Sequence, residues 1–364
     1  MLRNQPAIRK PVRRTGAEQY ILSMLLAFAL TVIALRLFLE LTGYPQLGNS
    51  TLHISHLLWG GLALFVAAIL PLIFANRWAY DLGAVLAGIG VGLFIDEVGK
   101  FITQSNDYFY PPSAPIIYAI FLLCVLMYLR LIRPRTTEPR SELYAALLLL
   151  QEVLDRDLEQ EEKEAIEKRL SHVLENTHES DLKQLSTELL KFIEQSHQFV
   201  VPSTPDMNQK IKLQMRRFET QFLPLNRFRL FVIFGLLGMG LFSMTTSLGS
   251  LLISLSINPY ISSIIRVPDL VDATTESWFL ALHVLQFINS LLLLYSAMTI
   301  TKGDTRTGTR LGLFGLLVYL TIVDLFLFYY YQFSTIISVL LQFAVLLALI
   351  RLRQRTIEVD SLLA

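Results

Sequence analysis

Apolar runs of near-constant length, each stopped by polar or charged residues, divide this chain. They cover 19–42, 54–75, 80–102, 115–133, 227–254, 278–300, 311–331 and 335–352. A helix that crosses a bilayer needs about 20 apolar residues, so the pattern predicts an all-α polytopic membrane protein with eight transmembrane helices. Four precede and four follow a polar middle. The predicted division is a basic N-terminus (1–18), a first membrane half (19–135), a helical segment (136–225), a second membrane half (226–353) and a tail (354–364).

The middle segment follows a different rule. Leu143, Leu147, Leu150 and Leu154 recur at helical spacing, as do Ile166, Leu170 and Val173, and then Leu182, Leu185, Leu189 and Ile193. Charged runs separate them, which is the signature of amphipathic helices. Thr204-Pro205-Asp206 reads as a helix start, opening a helix with Lys210, Lys212, Arg216 and Arg217. That basic face suits anionic headgroups. Three or four helices in a small bundle are expected, serving as a connector or as a docking module for a cytoplasmic protein.

Charge fixes the orientation. Arg3, Lys10, Arg13 and Arg14, then Arg77, Arg130, Arg133 and Arg135, collect at alternate boundaries. Arg227, Arg229, Lys302, Arg306, Arg310, Arg351, Arg353 and Arg355 fall on the same side, while Lys100 and Arg266 are nearly all that reach the other. Positive charge marks the cytoplasmic face, so both termini and the 136–225 segment are expected there, in a cell inner (plasma) membrane. The first run is too long for a signal-peptide core and no small-residue cleavage motif follows it, so it reads as a retained span.

Composition adds two exclusions. Of 364 residues 53% are hydrophobic and only 17% charged, with a net charge of +1, and nothing in this balance points to nucleic acid. The single cysteine, Cys124, lies within an apolar run and rules out a disulfide framework within one chain.

The candidate chemistry lies at the less basic boundary. The first run ends with Arg36 and Glu40, the second opens with His53-Ile-Ser-His56, and the third ends with Asp96-Glu97-Val-Gly-Lys100 ahead of Asp107. Three successive spans thus carry ionisable groups to one level, where they must pair or line a wet cavity. Three readings are open. The charges neutralise one another as structure; or they bind a polar solute or ion, with the imidazoles coupling binding to protons; or His53, His56 and Asp96 ligate a divalent metal such as zinc, with a spare carboxylate as base in a membrane hydrolase.

The second half offers counterparts. His283 and Asp324 stand 41 residues apart, and His56 and Asp96 stand 40 apart. Ile116-Ile117 running to Arg130 parallels Ile336-Ile337 running to Arg351. A duplicated four-span unit, both copies in one orientation, is the expectation.

Several features have plainer readings. Gly88-x-Gly90-x-Gly92 lies inside a span with no strand before it, so it reads as a small-residue face for close helix approach. Gly60-Gly61 reads the same way. Trp59, Tyr108, Tyr110, Trp278 and Tyr329-Tyr330-Tyr331 read as interfacial belts. His172, His178 and His197 fall in the polar segment and are expected to face solvent.

The stretch Leu52-His-Ile-Ser-His-Leu-Leu-Trp-Gly-Gly61, followed by Gly88-Ile-Gly-Val-Gly-Leu-Phe-Ile-Asp-Glu-Val-Gly-Lys100, resembles uncharacterised bacterial multi-pass inner-membrane proteins. They share a His-rich span entry and an Asp-Glu span exit. The resemblance covers about residues 50–118, implies a bacterial inner-membrane setting and brings no activity with it. The sequence therefore leads to an integral membrane protein whose outward polar pocket binds or transports a small solute or ion. A metal-dependent hydrolase and a scaffold or sensor acting through 136–225 are the alternatives. The expected partners are the bilayer, a cytoplasmic protein and a second copy of the chain.

Overall fold

In the computed structural model, the described residues are 11–43, 55–133, 138–155, 158–195, 200–201, 214, 224–254 and 273–363. Their regular structure is helical apart from a two-residue parallel bridge, β1 (Leu158–Glu159) with β2 (Val200–Val201). The helices of the first apolar block are α1 (Ala17–Thr42), α2 (His56–Ile73), α3 (Arg77–Ile95), α4 (Val98–Ile102) and α5 (Ser113–Ile132). The polar segment forms α6 (Pro139–Asp155), α7 (Gln160–Asn176) and α8 (Ser180–Gln195). The last block holds α9 (Leu225–Ser254), α10 (Ala273–Thr301), α11 (Thr305–Val318), α12 (Asp324–Tyr331) and α13 (Ile336–Leu363).

Among the described residues seven stretches are long and apolar enough to cross a bilayer, and the last runs unbroken in composition over 53 residues, Thr305–Ile357. A straight helix of that length would reach about 80 Å at 1.5 Å per residue, against a hydrocarbon core of about 30 Å. The chain instead folds back. A 3₁₀ turn at Gln332–Thr335, entered at Gln332 with φ 45°, separates α12 from α13. The two arms run antiparallel, because Gln342 on α13 bonds Asp324 and Leu349 packs on Gly312 of α11. A π-turn, Tyr319–Val323, joins α11 to α12.

Contacts divide the chain into two compact units, 1–31 with 58–92 and 124–210, and 32–57 with 93–123 and 211–364. The glycines of α3 act in the first unit. A Cβ on Gly88 would run into the Met24 carbonyl and lie 2.7 Å from Ala27, and one on Gly92 would lie 2.9 Å from Thr31. Gly88 and Gly92 are four apart and share a face, so both serve α1. Gly90 points elsewhere and meets Gly60 of α2, its would-be Cβ 2.9 Å from that carbonyl. The small-residue face of the sequence is thus a real close approach on two sides, in which dispersion replaces side-chain bulk.

The helices α6 to α8 also belong to the first unit. Ile166, Leu170 and Val173 of α7 are fully buried, as the periodicity predicts. The buried line on α6 differs from expectation: it runs Leu143, Ala146 and Val153, whereas Leu147 is 42% and Leu154 82% exposed. Four apolar residues at helical spacing trace a stripe wider than a single neighbour covers, and α7 takes its Ala146 edge. A reciprocal capping box between Glu159 and Glu162 starts α7, and Glu142 accepts from Arg169 at 2.6 Å. His172 is half-buried, with its Nδ1 enclosed, and His178 is exposed. The helix start at Thr204, its basic residues and His197 lie outside the described residues.

In the second unit Val232, Leu236, Leu282, Leu293, Ile300, Leu316 and Leu349 form the interior of α9–α13. Outward faces are apolar as well: Leu41, Phe234 and Ile337 are 77%, 69% and 72% exposed. Apolar surface on this scale suits lipid rather than water.

The glycine contacts set a contrast for mutagenesis. Gly88→Ala, which drives a methyl into backbone, is expected to destabilise by about 1–3 kcal/mol. Gly238→Ala on α9, where a Cβ meets nothing within 4 Å, is expected to stabilise by about 0.5–1 kcal/mol. Thermal unfolding of the detergent-purified variants measures both.

Candidate functional site

The candidate residues arrive from helix ends. Arg36 lies in the second-last turn of α1, and His56 is the first residue of α2, where the Ser55 hydroxyl accepts the Leu57 amide at 3.1 Å. The third apolar run does not stay helical to residue 102. It breaks at Asp96-Glu97, and α4 restarts at Val98. The break turns both carboxylates inward. Gly99 allows α4 to lie against the following loop, since a Cβ there would be 2.5 Å from Ser113 Oγ and 2.6 Å from the Asp107 carbonyl.

These ends meet within the second unit. Arg36 Nε donates to Asp96 Oδ1 at 2.6 Å, and its Nη2 donates to the Asp96 carbonyl at 3.2 Å. Tyr108 Oη–H donates to Asp96 Oδ2 at 2.5 Å. Lys100 Nζ donates to Glu97 Oε1 at 3.1 Å. The His56 ring stands between the two acids, Nδ1 3.2 Å from Glu97 Oε1 and Nε2 3.3 Å from Asp96 Oδ2, the latter off the line of a hydrogen bond. The Arg36 guanidinium is stacked, 3.7 Å above the Phe333 ring and 4.4 Å from that of Tyr108. Arg36, Asp96 and Glu97 are 5%, 0% and 2% exposed, while His56 and Lys100 are half-buried and reach the rim.

Asp96 lies one residue beyond the end of α3. Burial raises its pKa, but His56, the Arg36 charge and the Tyr108 hydroxyl outweigh that and hold the carboxyl below its usual range. Two cations face two anions, so the group is neutral when His56 is neutral and carries +1 when it is protonated.

Other candidates sit elsewhere. Glu40, one turn beyond Arg36, is exposed and takes no partner among the described contacts. Asp107 is exposed and shapes its own loop, accepting the Phe109 amide at 2.9 Å while its amide donates to Thr103 Oγ1 at 2.8 Å. His53 lies outside the described residues, so the ligand trio His53, His56 and Asp96 does too. Among the described residues no three His, Cys, Asp or Glu side chains are arranged to hold a metal ion.

His283 and Asp324 are buried in the same unit with different company. His283 Nδ1 is 3.0 Å from Gln286 Oε1, and Gln286 Nε2 donates to Tyr319 Oη at 3.0 Å, which pairs with Ser243 Oγ at 3.0 Å. Asp324 Oδ1 accepts from Gln342 Nε2 at 3.1 Å. His283 Nε2, Asp324 Oδ2 and Gln342 Oε1 have no hydrogen bond among the described residues. No described bond or ion pair joins this set to the Arg36–Asp96 cluster.

Two participants escape sequence reading. Tyr108 reads as an interfacial belt residue yet donates to Asp96, and Phe333 comes from the distant turn of the last hairpin. An aromatic twelve residues after a buried acid carries no spacing signal, because a loop brings it back. Trp59 and Trp278, both more than half exposed, fit the belt reading. Comparison with protein families, with curated proteins and with solved structures finds no match.

Removing one partner of a buried ion pair leaves the other charge stranded. Arg36→Met is therefore expected to cost about 3–5 kcal/mol. Arg36→Met with Asp96→Leu is expected to recover most of the loss, because neither charge of the pair remains to be buried. A double-mutant cycle on thermal unfolding in detergent reads the coupling; additive losses would mean that the pair does not interact.

Proposed function

We propose that this chain is a multi-pass membrane protein of eight crossings, with both ends and the α6–α8 segment on the cytoplasmic side. Its outer polar cluster binds a small polar solute or ion and couples that binding to a proton on His56. The observation that carries this reading is the His56 ring held between two carboxylates, each already tied to its own cation.

A neutral imidazole has one donor and one acceptor nitrogen, so one of the two acids must then face a lone pair. A protonated ring turns a hydrogen-bearing, positively charged edge toward each acid. Proton arrival therefore improves both contacts and moves the cluster from neutral to +1. Departure leaves one carboxylate oxygen open to a new partner at the half-exposed rim. The antiparallel arms α11–α12 and α13 support eight crossings rather than seven, and the basic boundaries support the orientation.

Two measurements test the reading. For topology, Cys124→Ala is combined with Asp107→Cys or Ser180→Cys and labelled with an impermeant maleimide. Residue 107 is expected to label in intact cells and residue 180 only after permeabilisation; the reverse would overturn the orientation. For binding, the purified protein is screened by thermal shift against inorganic ions, amino acids and small organic acids and amines. A true ligand at a hundredfold over its Kd stabilises by about 2.7 kcal/mol, a shift of a few degrees. That shift is expected to disappear in His56→Gln and Asp96→Asn. A panel without a hit, or a hit indifferent to both variants, would overturn the site.

A further inference from the structure

Between Leu311 and Ile350 the chain has a single Asp, Glu, Lys, Arg or His, and it is Asp324. That residue is fully buried. Its neighbours bring no cation. α9 from Leu230 to Ser254 and α5 from Ser113 to Leu129 hold no charged residue, and α10 holds only Glu276 and His283. Among the described residues Asp324 makes no ion pair. The other titratable groups of this interior are engaged elsewhere. Tyr118 Oη–H donates to the Leu320 carbonyl, Tyr319 Oη meets Gln286 and Ser243, and His283 Nδ1 meets Gln286.

The backbone is built to aim this acid. Asp324 closes the π-turn, its amide donating to the Tyr319 carbonyl. The extra residue in that turn rotates Asp324 by about 100° from where a regular helix would carry it. It thereby faces Gln342 on the antiparallel arm α13, whose Nε2 donates to Asp324 Oδ1 at 3.1 Å and to Ser338 Oγ at 3.2 Å. Gln342 is itself buried. Asp324 Oδ2 and Gln342 Oε1 are both enclosed, and neither has a hydrogen-bond partner among the described residues. Two groups already joined by one bond thus each keep one bare acceptor. A single hydrogen on Oδ2 serves both, because an acid and an amide pair through two bonds, N–H to the acid carbonyl and O–H to the amide carbonyl. It also removes the charge, which is the costliest thing to bury without a cation.

We propose that the Asp324–Gln342 pair is a proton-binding site in the interior of the second unit. The proton sits on Asp324 Oδ2, is donated to Gln342 Oε1 and clasps the two arms of the last hairpin. A proton needs no cavity, whereas a metal cation needs room and several oxygen ligands. Loss of the proton to water leaves an anion facing an amide oxygen with no cation paired to it, so the clasp holds only while the proton stays. The site is separate from the His56 cluster. It depends on neither the orientation nor the solute proposed above.

The full chain, purified in a mild nonionic detergent at neutral pH, is compared with Asp324→Asn by infrared difference spectroscopy. The unaltered chain is expected to show the carbonyl stretch of a protonated carboxylic acid, absent from the variant and shifted in heavy water. Gln342→Leu is expected to keep that band and move it to higher frequency, because the acid loses its acceptor. Thermal unfolding is the second readout. Asparagine has the size of aspartate, no charge and an amide hydrogen where Oδ2–H would be. Asp324→Asn is therefore expected to unfold close to the unaltered chain, and Asp324→Leu, with neither donor nor acceptor, a few degrees lower. A missing acid band, or a band unmoved by Gln342→Leu, overturns the proton site. So does an Asp324→Asn protein that does not fold or unfolds as early as Asp324→Leu. A melting temperature that rises with sodium or potassium over choline at fixed ionic strength, in the unaltered chain but not in Asp324→Asn, assigns the carboxylate to a metal cation and overturns it as well.

Discussion

The Arg36–Asp96 ion pair is the constraint around which the meeting of the α1, α2 and α3 ends is arranged. A carboxylate with no solvent exposure is tolerable only if its charge and its lone pairs are met, because desolvating an ion costs several kcal/mol even after relaxation. Asp96 meets that condition through three donors or cations drawn from three places: Arg36 from α1, His56 from α2 and Tyr108 from the loop after α4. The backbone is shaped to suit. If α3 continued as one helix through residue 102, Asp96 and Glu97 would point 100° apart around its axis. The break after Ile95 brings both acids to the same imidazole, and Gly99 provides the clearance that lets the short α4 turn under the loop.

The second half handles buried polarity by another route. Its interior carries Gln286, Asn289, Gln342, Tyr319 and several serines, all nearly inaccessible, and they bond chiefly to each other or to backbone carbonyls. Asn289 Nδ2 donates to the Gly315 carbonyl at 3.0 Å and Ser296 Oγ to that of Gly308 at 2.8 Å. Those carbonyls belong to α11, where Gly308, Gly312 and Gly315 remove the side chains that would hold α10 away. Small residues and neutral donors thus work as one device, since the glycine lets the helices close and the donor gains a carbonyl within reach. The π-turn at 319–323 lies in the same region, and the Leu320 carbonyl within it takes the Tyr118 hydroxyl at 2.7 Å. Such a turn shifts the register of the helix, so that Tyr319 faces Ser243 and Gln286 while Asp324 faces Gln342.

These two devices explain how far the sequence could be read. The apolar runs, the polar helices and the meeting of Arg36, His56, Asp96, Glu97 and Lys100 are legible because each depends on helix ends arriving at one level, and run length sets that level. The role of the α3 glycines is legible because spacing of four places Gly88 and Gly92 on one face. Residues whose positions depend on loop path are not. Asp107 and Tyr108 are neighbours, yet one shapes its loop in solvent and the other reaches Asp96; the positive φ of Asn106, 53°, decides between them and leaves no mark in the hydropathy. Glu40 fails for a related reason. The i, i+4 rule puts it beside Arg36, but Arg36 is drawn toward Asp96 and leaves Glu40 at the exposed end of α1. On α6, four leucines define a stripe without saying which edge α7 covers.

The Arg36–Asp96 cluster and the His283–Asp324 group show two ways of holding polarity inside one unit. In the first, charge meets charge: Arg36 pairs with Asp96 and Lys100 with Glu97, and the His56 ring lies 3.3 and 3.2 Å from the two acids. Two buried carboxylates are met by cations of the same chain, so the cluster is electrically self-contained. In the second, neutral groups do the work: Gln342 donates to Asp324, and Gln286 joins His283 to Tyr319. The first arrangement depends on helix ends meeting, the second on close packing along the helices, and each therefore fails to a different kind of substitution.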